Sequence, residues 1–190
     1  MLHHALTEDT NLRLPEESDA DALYAVIAAN RPYLARWMPW AAGQDRDATL
    51  EFIRACRRQV GDNNGMQTLI TRGGRPIGMV GFHGINWLNR TSSIGYWIAQ
   101  DQQGRGITTR AVRVLLDHAF GAWKLNRIEI RCGVENLASR GIPERLGFRD
   151  EGRLLQAERV GERWVDHVLY AMLAADWRAL ARNHSRAAQR

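Results

Sequence analysis

The feature that most limits how this chain can fold is Ser93–Phe120, where an alternating strand pattern runs into a glycine-bearing turn and then an amphipathic helix. Ile94, Tyr96 and Ile98 alternate with Gly95, Trp97 and Ala99, the two-residue period of a strand. Gln100–Gly106 is polar. From Ile107 onward, Ala111, Val114, Leu115, His118 and Ala119 recur on one face of a 3.6-residue helix. A second strand pattern follows at Arg127–Cys132, with Ile128, Ile130 and Cys132 on one side. A strand, a helix and a strand of these lengths form a crossover unit, so the two strands are expected to be parallel and the connection right-handed.

The junction between strand and helix is suited to an anion. The first backbone N–H groups of a helix have no internal partner, and the helix dipole adds partial positive charge there. Gly104 and Gly106 allow positive φ and close approach of a bulky ligand, and Arg105 and Arg110 add full charge. The stretch reads either as an ordinary turn or as a phosphate cradle. Two nucleotide motifs are excluded. A dinucleotide fingerprint needs a third glycine where Thr109 stands, and a Walker loop needs a Gly-Lys pair, whereas Lys124 is the only lysine.

Taken in order, the chain predicts a short strand at Thr10–Leu14 and a helix from a Ser18 cap to about Ala29, with Leu23, Val26 and Ile27 inward. Arg31–Trp40 is an aromatic-rich turn between prolines, read as a loop packed on the core or as a wall of an acceptor pocket. A helix over Thr49–Val60 and a hairpin of Met66–Thr71 with Pro76–Phe82 about Gly73-Gly74 follow. Beyond the crossover, Asn136 or Ser139 caps a helix ending at Gly147, with Pro143 inside it. Phe148–Val160 and Glu162–Leu173 form a last hairpin. Asp176–Ala181 is a short helix, and Asn183–Arg190 is expected to be disordered.

With 190 residues, 45% hydrophobic and 25% charged, the chain is expected to be one soluble domain over residues 1–182. No apolar run reaches the ~20 residues of a membrane span, and the N-terminus lacks a signal-peptide pattern, so cytoplasm is the expected location. The net charge of +5 comes from scattered arginines rather than a basic block, which speaks against direct nucleic-acid binding. Cys56 and Cys132 lack metal-type spacing; they are expected as reduced, buried thiols, with no metal.

Gln103-Gly-Arg-Gly106-Ile-Thr108 resembles the Gln/Arg-x-x-Gly-x-Gly/Ala signature of the GNAT acetyltransferase superfamily, departing only at Thr108. Asn136-Leu-Ala-Ser139, followed by Pro143-Glu-Arg-Leu-Gly147-Phe148, is similar to a second motif of that superfamily, and Ile77-Gly78-x-x-Gly81 adds an earlier one. The resemblance runs from Thr10 to Leu173. It implies an α+β fold: a central mixed seven-stranded sheet, mostly antiparallel with one parallel βαβ splay, and about four flanking helices. It implies acetyl-CoA as co-substrate, the pyrophosphate on the N–H groups of Gln103, Gly104, Arg105, Gly106, Ile107 and Thr108. The pantetheine arm would lie along Ile98 and Ala99, with Asn136 further on. The tail Glu151–Tyr170 is similar to the Rim-type branch, which acetylates ribosomal-protein N-termini. An acidic stalk protein is therefore the expected acceptor and a homodimer the expected assembly.

Acyl transfer to an amine needs a neutral amine, donors for the developing oxyanion and a proton for the departing thiolate. Relatives place a tyrosine seven residues after the motif asparagine; here Pro143 stands there. Ser139 is the remaining candidate acid, with helix capping as its other reading. Glu158 is the favoured base, with a solvated strand glutamate as its other reading, and His83 and His167 are secondary choices. Three functions stay open: transfer to a protein N-terminus, transfer to a small amine, or non-catalytic coenzyme A binding.

Overall fold

The computed structural model describes residues 3–187, with side-chain surroundings through residue 182. Among these, eight strands form one sheet: β1 His3–Ala5, β2 Thr10–Arg13, β3 Met66–Arg72, β4 Arg75–Phe82, β5 Thr91–Ile98, β6 Arg127–Gly133, β7 Arg149–Val160 and β8 Arg163–Leu173. Their order is β1-β2-β3-β4-β5-β6-β8-β7, antiparallel throughout except for the parallel pair β5–β6. The helices are α1 Ala20–Ala29, α2 Arg31–Leu34, α3 Arg46–Gly61, α4 Ile107–Gly121, α5 Leu137–Leu146 and α6 Ala174–Ala187.

The sheet has one strand more than the seven expected. β1 pairs His3–Ala5 with Asn11–Arg13, and its three residues are all exposed, so no alternating apolar pattern announced it. Six helices stand where about four were expected; the aromatic turn supplies α2, which Pro32 starts. α3 begins three residues before Thr49 because the Asp45 carboxylate accepts the Ala48 N–H at 2.7 Å. Ser18 is not the cap ahead of α1. Asp19 accepts the Glu16 N–H at 2.8 Å and is itself held by the Arg13 guanidinium. α6 runs past Ala181 to Ala187. Residues 188–190 of the tail expected to be disordered lie outside the described residues.

The sheet separates two apolar cores. On one face α1, α2 and α3 pack Leu23, Ile27, Leu34 and Ile53 against Leu69, Met79 and Trp97. On the other, α4, α5 and α6 cover Ile94, Ile128, Ile130 and Tyr170. The buried arc of α4 is wider than one stripe and is rotated from the expected one. Val112, Leu116 and Phe120 are buried, while Val114 and His118 are only half-buried at its flank. The sheet covers one side of α4, and α5 and α6 its flanks.

β4 and β5 lie close enough that a Cβ on Gly78 would stand 2.4 Å from the Trp97 carbonyl oxygen and 2.8 Å from the Ile98 Cα. Backbone cannot swing aside as a side chain can. Gly78→Val is expected to cost about 1–3 kcal/mol by overpacking, which thermal unfolding would register as a drop of roughly 2–4 °C per kcal/mol. An unchanged Tm would show that the pair can separate freely.

Candidate active site

The site forms where two strands part. Parallel pairing joins Thr91–Ser93 to Arg127–Glu129 and goes no further. β5 continues to Ile98 against β4, and β6 continues to Gly133 against β8, so their facing edges border a gap. Two cavities open into it. One, of about 300 Å3, is lined by the turn after β5 and the start of α5. The other, of about 660 Å3, is walled by the aromatic turn, β4, β6 and the last hairpin. Trp37, Met38, Tyr96, Trp97, Asn136 and Ser139 line both. Of the aromatic turn, Trp37, Met38 and Trp40 line the larger cavity.

The smaller cavity ends on a row of free amides. Gly104 and Gly106 take positive φ, 72° and 68°, and Gly106 leads directly into α4. Among the described residues no protein acceptor takes the N–H groups of Gly104, Arg105, Gly106, Ile107, Thr108 or Thr109. Such a row, on a helix N-terminus, has the geometry and partial positive charge that suit an anion. Arg110 is tied back to the Arg105 carbonyl at 3.0 Å, and Arg145, which the sequence reading missed, reaches the rim and donates to the Thr109 hydroxyl at 3.4 Å. Gln103 differs from its neighbours: its N–H donates to the Gln100 carbonyl at 3.3 Å, and its side chain donates to the Tyr33 hydroxyl. Ile98 lines this cavity. Ala99 does not, since its N–H donates to Ile77 and its carbonyl accepts from Gln102.

At the seam between the cavities three side chains meet. The Ser139 hydroxyl lies 3.2 Å from both the Tyr96 oxygen and the Cys132 sulfur. The Tyr96 hydroxyl donates to the Ser139 carbonyl at 3.0 Å. That carbonyl would bond the N–H of residue 143 in an unbroken helix, but Pro143 has none. The tyrosine from β5 therefore closes a bond the proline leaves open. Capping falls to Asn136, whose side chain accepts the Ser139 N–H at 3.2 Å, which leaves the Ser139 hydroxyl facing the seam. Burial, with Cys132 beside it, holds the Tyr96 pKa well above its ordinary value. Burial likewise raises the Cys132 thiol. Both stay protonated; the phenol donates to the Ser139 carbonyl, and the thiol sulfur accepts from the Ser139 hydroxyl. Sequence patterning assigned Tyr96 only to a strand face; its pairing with a helix carbonyl depends on the fold.

The larger cavity holds Glu158 of β7, which sits 3.4 Å from His167 of β8; the histidine is 14% exposed and the carboxylate 38%. His83, just after β4, also opens onto this cavity, and the protein around it lowers its pKa. Cys56 and Cys132 are free and buried, as expected.

A family model described as an acetyltransferase (GNAT) domain matches residues 9–149. YdaF of Bacillus subtilis, which carries a provisional ribosomal N-acetyltransferase name, is 36% identical over 174 residues, 90% of this chain and 95% of that protein. The ribosomal-protein-serine acetyltransferase of Escherichia coli is 30% identical over 169 residues, 88% of this chain and 94% of its own. Among solved structures, RimL, a ribosomal alpha-N-protein acetyltransferase in complex with coenzyme A, superposes with a TM-score of 0.87 at 25% identity, covering 93% of this chain and 99% of that one.

Gly106→Glu puts a carboxylate on the row of free amides, at a position whose φ is left-handed. Coenzyme A affinity is expected to fall by about 100-fold or more, roughly 2.7 kcal/mol, with the fold retained by circular dichroism. Calorimetry showing unaltered affinity would mean that the amides hold nothing.

Proposed function

The chain belongs to the GNAT acetyltransferase family, and on that premise we propose that it transfers the acetyl group of acetyl-CoA to the N-terminal amine of a ribosomal protein. The E. coli relative is named for ribosomal-protein serine and the RimL structure for ribosomal alpha-amines. The observation that carries the choice of acceptor is the larger cavity. It is wide, walled by aromatic residues, and Glu158 is the one carboxylate among its lining residues. A polyamine carries several ammonium groups and needs several carboxylates; a polypeptide N-terminus brings one charge and much apolar and backbone surface.

In this reading the N–H groups of Gly104–Thr108 bind the pyrophosphate, the open edge of β5 at Ile98 takes the pantetheine arm as an added strand would, and Asn136 borders its far end. The acceptor enters from the opposite side of the sheet, so the amine and the thioester meet at the seam. Glu158 receives the ammonium, directly or through water. Holding both reactants there supplies much of the rate by orientation alone. Ser139 donates its hydroxyl hydrogen bond towards the departing thiolate. Gln103 contributes by fixing the turn against Tyr33, and Ala99 by fixing β5 to β4.

The domain over residues 1–182 acts in the cytoplasm as a homodimer in this proposal, and a net charge of +5 suits an acidic stalk protein. No described helix is long and apolar enough to cross a membrane.

Mass spectrometry of a ribosomal-protein extract incubated with labelled acetyl-CoA is expected to place the label on one or a few N-termini. Label confined to small amines would refute the acceptor. Ser139→Ala is expected to lower kcat roughly 100-fold while the KM for acetyl-CoA changes less than about twofold; unchanged kcat would remove the hydroxyl from the reaction.

A further inference from the structure

We infer that His83 takes the proton from the acceptor's ammonium group, while Glu158 holds that ammonium in place. The inference rests on the acetyl-transfer reading above and names a residue for one of its steps. His83 is fixed by its backbone: its N–H donates to the Ser93 carbonyl at 2.9 Å, and its carbonyl accepts from the Ser92 hydroxyl at 3.3 Å. Its ring packs against β5 at Gly95, where a Cβ would stand 2.5 Å from Nε2, the nearest ring atom. Gly95 and Trp97 share the acceptor face of that strand, and Tyr96, between them, reaches the seam from the other face. The imidazole thus sits on the acceptor side of the strand whose next residue enters the seam.

Among the described residues no protein group bonds to either ring nitrogen, and the side chain opens onto the larger cavity. An unpartnered imidazole facing the amine's entry route is free to accept a proton. Glu158, by contrast, already shares His167 at 3.4 Å. An α-amine has a pKa of ~7.7–8.0, imidazole ~6.5 and a carboxylate ~4.3. On those values, handing the proton to imidazole is about a hundredfold more favourable than handing it to a carboxylate. Desolvation by the protein packed around the ring lowers His83, which narrows that margin and keeps the ring neutral and ready at neutral pH. The other titratable or charged residues lining the cavity are Tyr96 of β5, Arg131 and Cys132 of β6, Glu158 of β7 and His167 of β8; α3 and β3 bring only Phe52 and Gln67.

The step balances without a further reagent. One ammonium N–H bond breaks and its proton passes to an imidazole nitrogen. The freed lone pair forms the bond to the thioester carbonyl carbon. As the C–S bond breaks, the nitrogen loses a second proton and the departing sulfur gains one by way of the Ser139 hydroxyl, leaving a neutral amide and the coenzyme A thiol, and the imidazolium returns its proton to solvent.

The test is steady-state kinetics with acetyl-CoA and an N-terminal peptide acceptor between about pH 5 and pH 9, on the wild type, His83→Gln, Gly95→Ala and Glu158→Gln. Wild-type kcat is expected to fall on the acid side, at a pH beneath the ordinary imidazole value of ~6.5 because His83 is lowered. His83→Gln should lower kcat roughly 100-fold, leave the KM for acetyl-CoA within about twofold and abolish that acid limb. Gly95→Ala, which displaces the ring without removing it, should lower kcat in the same sense. Glu158→Gln should raise the peptide KM and keep the limb. A His83→Gln enzyme within about threefold of wild-type kcat, or a limb lost in Glu158→Gln instead, would overturn the assignment. If no peptide is acetylated, the acceptor reading falls, and the same variants assayed on whichever amine is accepted still decide the role of His83.

Discussion

The parallel ladder between β5 and β6 stops after Ser93 and Glu129, and the rest of the molecule's chemistry depends on that interruption. A continuous ladder would have paired the edge of β5 and sealed one face of the sheet from the other. Each strand instead keeps its outer neighbour, β4 or β8, so the sheet stays intact while its middle opens. The two cavities lie on either side of this opening. A sheet with helices on both faces thereby holds two cavities that meet at one seam.

Across the site, binding capacity resides in backbone groups that the fold leaves unpaired. The amides from Gly104 to Thr109 are free because a helix begins there without a side-chain cap. The edge of β5 is free because its neighbour has turned away. Side chains then adjust what the backbone offers: Tyr33 steadies Gln103, and Asn136 caps α5 so that the Ser139 hydroxyl remains at the seam. The guanidinium groups of Arg36 and Arg163 both lie over the Trp37 ring, which fastens the aromatic turn to the last hairpin.

Much of this was legible in the sequence because it rests on local rules. The alternation in Ile94–Ile98, the glycines at 104 and 106 and the cap at Asn136 each act within a few residues of where they are written. What escaped depends on contacts between distant segments. β1 has no apolar alternation and exists because β2 offers an edge. Ala99 sits in a motif position, yet its amide is already taken by Ile77 of the neighbouring strand. The buried arc of α4 was misplaced because the pattern gives a stripe, while the width of cover depends on α5 and α6.

Pro143 and Tyr96 show how a local defect becomes a long-range tie. The proline leaves one carbonyl of α5 without its helical donor, and a phenol from the sheet supplies the missing hydrogen. Neither position can drift alone: a phenylalanine at 96 strands that carbonyl, and an N–H-bearing residue at 143 competes for it. One shared carbonyl thus makes the register of a helix answerable to a side chain on the sheet beneath it.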